Sequence, residues 1–388
     1  MVKMIKPNKP GYILVLTLII MALATAIVTR LFYQGSAYLP LTNLAIDRKK
    51  AKNLALGGVQ LALSKLNSLP APNKSPDQNG ESQKTKSKPK EQQFLDQILP
   101  IINQWDTVNF KQEIDGIDGK VQFCLTCENG KINLNQLYDF TKHEFKDFEF
   151  IQRIANKANE RKQNYGLPEE LLEKAVSEYE QALGLLLTQI GKITAQEQEF
   201  EQALGSLISF LASRKYQLLD VTELLEISEF SYFKTHVFRE PINLQDQDQS
   251  HHTRNIYLTD IFTVSTASPK LEPWLFSDSN LTILGFPTTA ANDIMKRTAA
   301  VTGWTANFKI SSQWQADWDK TVGLMYEVQF KDVNKSAISL LEPQFKPQVF
   351  SVLSYGTVGN ITQKVCAIIK SQTQGKAAQF VVEKLYSI

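Results

Sequence analysis

The chain has 388 residues, of which 43% are hydrophobic and 21% charged, and its formal net charge at pH 7 is +2. This length has room for one large or two modest domains beside any membrane segment, and the nearly balanced charge gives no electrostatic support for nucleic-acid binding. Cys124 and Cys127 have no second pair to complete a zinc site, His251 and His252 have no ligand-like spacing to them, and neither G-x-S-x-G nor H-E-x-x-H occurs. The sequence therefore predicts a protein that is not an enzyme.

The first predicted element is an apolar helix near the N-terminus. No charged side chain occurs from Tyr12 to Thr29, and about 18 helical residues span about 27 Å, close to the hydrocarbon thickness of a bilayer. The preceding residues contain three lysines and no acid, which predicts a cytoplasmic N-terminus and an exported body. This apolar core is longer than that of a cleaved secretory signal. A plain signal anchor is the alternative interpretation.

The junction between the basic leader and the apolar run is a second signal. The leader ends at Gly11, and Tyr12 begins the apolar run. This junction resembles the signal that prepilin peptidase cuts in type IV pilins and type II secretion pseudopilins. The resemblance implies a leader over 1–11, cleavage after Gly11 and methylation of the new N-terminus. Most pilins have Glu at the fifth mature residue, where this chain has Leu16.

Apolar residues at helical spacing continue beyond the membrane segment, which predicts one long helix over 12–69. These residues are Leu44, Ala51, Leu54, Ala55, Leu61, Ala62 and Leu66. Pro40 is expected to kink or interrupt the helix. Residues 70–93 are rich in Pro, Ser, Lys and Gln and contain no large apolar side chain. This composition predicts a disordered linker or a surface loop.

Residues 94–137 are predicted to begin a folded domain. A short helix is expected from Phe94 to about Trp105, and the alternation at Val121–Thr126 predicts a strand. Cys124 and Cys127 are separated by two residues. In an exported body, this pair is expected to form a small disulfide loop.

A short corner sequence, GKINLN, occupies residues 130–135. It closely resembles the G-K/R-x-N-L-N segment of the K-type (GspK-like) minor pseudopilins of type II secretion, in which this segment is structural. Gly130, Asn133 and Asn135 are expected to hold a strand-to-loop corner, because short asparagine side chains bond to local backbone. The resemblance implies an α+β fold, with a pilin-like head on a long transmembrane helix and an inserted all-helical domain.

The inserted helical domain is predicted over 138–240. Apolar residues at helical spacing predict amphipathic helices within 167–212. Thr222, Glu223 and Leu224 follow and resemble the start of the family's recurring (S/T)-x-x-E-L-x-x-(I/V) helix. An ordinary helical bundle, unrelated to this family, is the alternative.

Residues 241–388 are predicted to complete the α/β domain. Strands are expected at Ile256–Thr266 and Thr321–Lys331, and a short helix around Ala290–Ala300. A hairpin is expected at Gln348–Ser371, with its turn at Gly359-Asn360. This order of elements resembles the closing sheet of pilin-like heads.

A short acidic segment partly matches the calcium loop of EF-hands. Asp246, Asp248 and Ser250 match the start of such a loop, but His251 stands where glycine is needed and Tyr257 where glutamate is needed. The segment therefore does not match the EF-hand pattern. Pseudopilin heads often bind calcium at irregular loops, so the resemblance is compatible with a calcium site, whose ligands the sequence does not assign. No other cofactor is expected.

The resemblance implies a minor pseudopilin at the tip of a type II secretion pseudopilus, which initiates assembly and supports protein export. The expected partners are the I- and J-type minor pseudopilins, prepilin peptidase, the secreted substrate and the outer-membrane secretin. The chain would be single-pass in the inner membrane, with its body in the periplasm. Two alternatives remain, namely a minor pilin of a type IV pilus and a signal-anchored extracytoplasmic binding protein.

Overall fold

The structure is a computed structural model, and it describes residues 10–69, 90–147, 177–241, 255–266, 268–287, 293–303, 317–341, 345, 347–374 and 377–388. For a few of these, among them Gly11 and Tyr12, only the backbone is described. The predicted leader up to residue 9, the predicted linker up to residue 89 and the acidic segment at 246–250 lie outside the described residues.

The described residues form an α+β fold, as the sequence predicts. Its α-helices are α1 (Pro10–Ser68), α2 (Lys90–Ile98), α3 (Gln112–Asp115), α4 (Leu134–Leu137), α5 (Glu178–Thr194), α6 (Glu197–Ser213), α7 (Leu258–Ile261), α8 (Asp278–Ile283), α9 (Ile294–Gly303), α10 (Val322–Tyr326) and α11 (Lys335–Ile338). Short 3₁₀ helices lie at Glu128–Gly130, Val221–Glu226, Ser228–Lys234, Pro273–Leu275 and Phe330–Asp332.

The strands are β1 (Trp105–Phe110), β2 (Gly119–Cys127), β3 (Ile132–Asn133), β4 (Tyr138–Asp139), β5 (Glu144–Phe145), β6 (Phe262–Thr263), β7 (Val349–Val358), β8 (Ile361–Gln374) and β9 (Ala377–Ser387). Five of them form one antiparallel sheet in the order β1-β2-β7-β8-β9. Strands β3 and β6 form a separate parallel pair, and β4 pairs with β5. In this sheet, β1 and β2 precede the helical region in the chain, whereas β7, β8 and β9 belong to the C-terminal part.

Helix α1 is one continuous element of 59 residues, and Pro40 lies inside it without ending it. Proline removes one backbone donor and crowds the preceding turn, which a helix can tolerate with a bend. The second half of α1 packs on one face of the sheet through the following buried residues: Ala51, Leu54, Ala55, Val59, Ala62 and Leu66. Leu44 and Leu61, which the helical spacing also selected, remain exposed.

Two glycines allow the backbones of α1 and the sheet to approach closely. A Cβ atom on Gly356 of β7 would lie 2.1 Å from the carbonyl oxygen of Ala51, and one on Gly58 would lie 2.2 Å from Oγ of Ser354. These separations are shorter than any ordinary contact, so a side chain at either position would push the helix off the sheet. The small residues of α1 therefore determine how deeply this helix is seated.

Helices α5 and α6 pack against each other in the region that was predicted to be an inserted helical domain. Their inward faces carry Leu183, Leu186, Leu187 and Ile190 from α5, and Phe200, Ala203, Leu207 and Leu211 from α6. Phe200 makes edge contacts with Phe230 and Phe233, and Phe230 in turn contacts Phe262 of β6. The helical region therefore shares one hydrophobic core with the rest of the body.

Several predicted elements differ from the structure. Residues 90–93, assigned to the linker, already belong to α2, and Trp105 begins β1 and does not end a helix. The segments expected as strands at 256–266 and 321–331 contain α7 with the two-residue β6, and α10 with a 3₁₀ turn. Both segments are rich in β-branched and aromatic residues because they are buried, and burial favours such residues in helices as well as in strands.

The C-terminal hairpin is confirmed. Strands β7 and β8 pair in register from Val349–Lys370 to Val358–Ile361, and the turn lies at Gly359-Asn360. Gly359 has a φ angle of 55°, the left-handed region that glycine adopts without steric cost. The sequence did not single out β9, which pairs with β8 and ends the chain.

Candidate functional site: the apolar helix and the corner

The first half of α1 is exposed around its whole circumference. The segment Ile13–Gln34 has a mean hydropathy of 2.3 and is long and apolar enough to cross a membrane. Its large side chains are uncovered; Leu23 is 58% exposed and Phe32 is 78% exposed. Apolar surface on this scale is unfavourable in water, and it is compatible with a lipid environment or with packing against other helices.

The threonines in this segment bond within the helix. Thr17 donates to the carbonyl oxygen of Leu14 at 2.9 Å, Thr25 to that of Met21 at 2.8 Å, and Thr29 to that of Thr25 at 2.8 Å. An apolar medium offers no partner for a free hydroxyl, so these internal bonds fit a helix surrounded by hydrocarbon or by apolar side chains.

The predicted processing residues lie at the start of this helix. Gly11 and Tyr12 belong to its first turn, and Leu16 lies in the next turn with its side chain exposed. Between residues 13 and 29 the chain carries no charged side chain. The N-terminal turns of α1 thus carry no carboxylate.

The corner sequence at 130–135 joins the sheet, the helical region and the C-terminal part of the body. A Cβ on Gly130 would lie 1.7 Å from the carbonyl oxygen of Leu275, so only glycine fits against the 3₁₀ turn at 273–275. The amide of Asn280 in α8 donates to the carbonyl oxygen of Gly130 at 2.9 Å. The glycine of this motif is therefore required by a backbone-to-backbone contact.

Lys131 forms a buried ion pair with Glu128. Their side chains are 3% and 5% exposed, and Nζ of Lys131 lies 2.5 Å from Oε1 of Glu128. Ser351 of β7 donates to the same oxygen at 2.6 Å, and Thr263 of β6 donates to Oε2. Burial acts to lower the pKa of Lys131, but the charge of Glu128, the charge of Asp260 and the hydrogen bond to Glu128 together more than offset it, so the pKa is raised. The pair links β2 to β6 and β7.

The two asparagines of the corner bond to backbone, as the sequence predicts for short amide side chains. Asn133 accepts from the N–H of Gln136 at the start of α4 and donates to the carbonyl oxygen of Thr266 at 2.6 Å. Asn135 donates to the carbonyl oxygen of Leu218 at 2.8 Å and accepts from the N–H of the same residue at 2.9 Å. The second asparagine thereby ties the corner to the end of the helical region.

The segment Thr222–Leu224 forms a 3₁₀ turn, whereas the sequence predicted the start of an α-helix. Its N-cap is Asp220, which accepts from the N–H of Thr222 at 2.8 Å. Glu223 bonds back to the N–H of Asp220 at 2.9 Å, which completes a capping box, and it also pairs with Arg214. Leu224 is fully buried. The local signal was present as D-x-x-E at 220–223, but the prediction named Thr222.

The predicted disulfide loop is not present. Cys124 and Cys127 are both free and buried. They lie three residues apart in the extended strand β2, where successive side chains alternate between the two faces. Consequently Cys124 faces away from α1, whereas Cys127 belongs to the core beneath α1 and contacts the carbonyl oxygen of Val349. Such a pair cannot be bridged without moving the backbone.

A metal site is not identified in the described part of the chain. No group of three or more His, Cys, Asp and Glu side chains there could hold a metal ion. The acidic residues Asp246 and Asp248 lie outside the described residues. The compatibility with calcium therefore stays a prediction without ligands.

Sequence reasoning missed two residues that organise the corner. Glu128 was not singled out, since a lone acid after a strand resembles an ordinary surface residue. Ser351 lies within the predicted hairpin but was not singled out. Glu128 pairs with Lys131 only three positions away, whereas Ser351 bonds to Glu128 from 223 positions away, a separation that no local pattern relates.

Comparison with solved structures found a likeness to this chain. No family model matches this chain, and no curated protein matches it. A solved chain from the GspK-GspI-GspJ complex of the enterotoxigenic Escherichia coli Type 2 Secretion System is similar to it, with a TM-score of 0.40 and 13% identity. The match covers 89% of this chain and 98% of that chain. A TM-score of 0.40 transfers neither residues nor function to this chain.

Proposed function

We propose that this chain is a K-type minor pseudopilin of a type II secretion system. Prepilin peptidase cuts it after Gly11, and its new N-terminus at Tyr12 is methylated. The first half of α1 anchors it in the inner membrane, and the body stands in the periplasm. At the pseudopilus tip it packs with I- and J-type minor pseudopilins, initiates assembly and supports protein export. Contact with the secreted substrate and with the outer-membrane secretin belongs to the same proposal.

The observation that supports this proposal most is the division of α1 into two halves. The first half is apolar all round and uncovered. The second half is amphipathic, and one face of it packs against the five-stranded sheet. A filament subunit needs this form, because the first half contacts lipid and neighbouring helices while the second half carries the head. The corner at 130–135, placed between the helix and the helical region, supports the K-type assignment within this class.

The absence of an acid near the start of the helix supports a position at the tip. In most pilins a glutamate at the fifth mature residue pairs with the N-terminal amine of a neighbour. Leu16 offers no such partner. A subunit at the tip has no subunit above it to pair with, so the substitution is tolerated there. The work of the chain in this proposal is assembly and not catalysis.

The test is mass spectrometry of the N-terminus after co-expression of the chain with its own prepilin peptidase. We expect a mature, methylated terminus at Tyr12. Gly11→Ala is expected to leave the leader intact. Gly57→Ala is the matched control, since a Cβ at Gly57 would meet no atom within 4 Å, and it is expected to be processed normally. A terminus at Met1 in all three proteins would overturn the proposal and favour the signal-anchored binding protein.

Co-purification then separates the two filament systems. A processed chain that co-purifies with I- and J-type minor pseudopilins from the same cell is a pseudopilin. A processed chain that co-purifies instead with type IV pilins is a minor pilin of a pilus, which is the alternative that shares its leader and helix.

A further inference from the structure

A cavity lies on the face of the large sheet opposite α1. Its volume is about 470 Å³, and it is partly open to solvent. Strands β2, β7, β8 and β9 form one side of it, and the 3₁₀ turn at 221–226 and the segment containing α7 and β6 form the other. Sites for small molecules in proteins have volumes of about 300–1,000 Å³, so the cavity is large enough to hold a ligand.

Much of the wall of this cavity is apolar. Leu353 and Ile368 project from the sheet, and Val221 and Phe262 face them. Cys124 and Cys366 flank Leu353 in register across three strands. Burial raises the pKa of both thiols to about 12, so both are protonated and uncharged at neutral pH. These residues together form an apolar patch in the wall of the cavity.

The floor of the cavity is polar and contains the Glu128–Lys131 pair. Oγ of Ser351 lies 2.7 Å from Oγ1 of Thr126 and accepts from Nζ of Lys131 at 3.1 Å, and Thr263 completes the group. In the described part of the chain, Lys131 donates to Glu128 and Ser351, which uses two of its three N–H groups. One donor of Lys131 and the remaining lone pairs of the hydroxyls are therefore available to a ligand.

The charges around the cavity favour an uncharged ligand. Glu128 and Lys131 compensate each other on the floor, and Asp220, Arg239 and Asp260 add charges of both signs to the wall. An ion of either sign would be attracted by one set of these charges and repelled by the other, so charge gives an ionic ligand little net advantage here. A buried ion pair also contributes little to stability compared with apolar residues of similar size, so its position at the end of an apolar cavity is better explained by recognition than by stability.

We propose that this cavity is a binding site for a neutral small molecule with an apolar body and a carbonyl oxygen. The apolar body lies between Leu353, Ile368, Val221 and Phe262. The carbonyl oxygen accepts a hydrogen bond from Lys131 at the floor. The site lies in the body, away from the membrane half of α1.

The test uses two probes that differ at one group. Benzanilide has two rings joined by an amide carbonyl, and N-benzylaniline has the same skeleton with CH₂ in place of the carbonyl. The full chain in lipid nanodiscs is dialysed against each probe at equilibrium, and empty nanodiscs give the background. We expect saturable binding of one equivalent of benzanilide and binding of N-benzylaniline that is weaker by about fivefold, the loss of one hydrogen bond.

Variants identify the site. Leu353→Trp fills the cavity and is expected to weaken benzanilide binding at least about tenfold. Ile368→Phe adds less volume to the same cavity. It replaces Leu353→Trp in the binding measurement if the urea midpoint of Leu353→Trp shows that this variant does not fold. Leu324→Trp, at a half-exposed position, is the control and is expected to bind like the original chain. Absence of saturable binding, equal binding by the filled variants, or equal binding of the two probes would overturn the proposal.

Discussion

The two halves of helix α1 share one continuous backbone but have opposite surroundings. Between residues 13 and 34 the helix is apolar on every side and uncovered, whereas between residues 51 and 66 one face is buried against the sheet. Hydrophobicity alone does not separate them, since both are rich in apolar residues. The difference is the periodicity: a helix that is apolar all round needs an apolar medium on every side, and an amphipathic helix needs only one partner.

The largest expected effect comes from matched leucine truncations in the two halves. Leu66→Ala removes a side chain with no exposed surface and should lower the free energy of unfolding of the body by about 2–5 kcal/mol. Leu23→Ala removes a side chain outside the body and should change it by less than about 0.5 kcal/mol. Urea unfolding of the full chain in detergent, followed by tryptophan fluorescence, measures both. Equal losses would show that the halves are not energetically distinct.

Adjacent glycines in the second half provide the next contrast. A Cβ at Gly58 would lie 2.2 Å from Ser354 and 2.7 Å from Val121, so Gly58→Ala should cost about 1–3 kcal/mol by displacing the helix. Gly57→Ala meets no atom within 4 Å and should stabilise the helix by about 0.5–1 kcal/mol.

The same urea measurement tests this pair. Because the two positions are neighbours in one helix, helix propensity is matched and only the contact with the sheet differs. A stabilising effect of Gly58→Ala would contradict the close seating of α1 on β2 and β7.

The smallest expected effect concerns charge, which is absent between residues 13 and 29 of α1 and which the body accommodates as a buried pair. The pKa of Lys131 is raised above its ordinary value of 10.5. The folded state therefore holds this proton more tightly than the unfolded state. Its contribution to stability is fully present below the unfolded pKa and is lost as the pH rises through the folded pKa.

The measurement compares urea midpoints at pH 9 and pH 11 for the original chain and for the double variant Glu128→Gln/Lys131→Met. Buried tyrosines also titrate in alkaline solution, but they are common to both proteins. We expect the original chain to lose more stability between the two pH values than the double variant does. Parallel losses would mean that the pair does not couple protonation to folding.

Much of the fold could be predicted because it depends on local patterns. The length of the apolar run, the helical spacing after it and the alternation around Gly359-Asn360 each involve residues close together in the chain. The turn glycine has a positive φ angle and the hairpin has the expected register. In these cases the prediction from the sequence agrees with the structure, because the contacts that determine each element are nearly all local.

The failures have a common cause. At 256–266 and 321–331 the β-branched and aromatic residues were interpreted as strand formers, but they are selected by burial, and the backbone there turns into short helices. The cysteine pair was interpreted from its spacing, and that spacing places the thiols on opposite faces once β2 is extended. Strand β9 was not predicted, because Glu383 and Lys384 interrupt its apolar pattern at the edge of the sheet.

The sequence by itself determined the apolar helix, its basic leader and the corner at 130–135, since each depends on residues that are neighbours in the chain. The α+β class followed from the resemblance of that corner. Only the tertiary structure decided which residues meet: that Gly130 lies against Leu275, that Glu128 and Lys131 are joined by Ser351 of a distant strand, and that a cavity lies beyond them. The physical reason is that propensity and periodicity act over a few residues, whereas close packing and the pairing of buried charges join residues that are far apart in the chain.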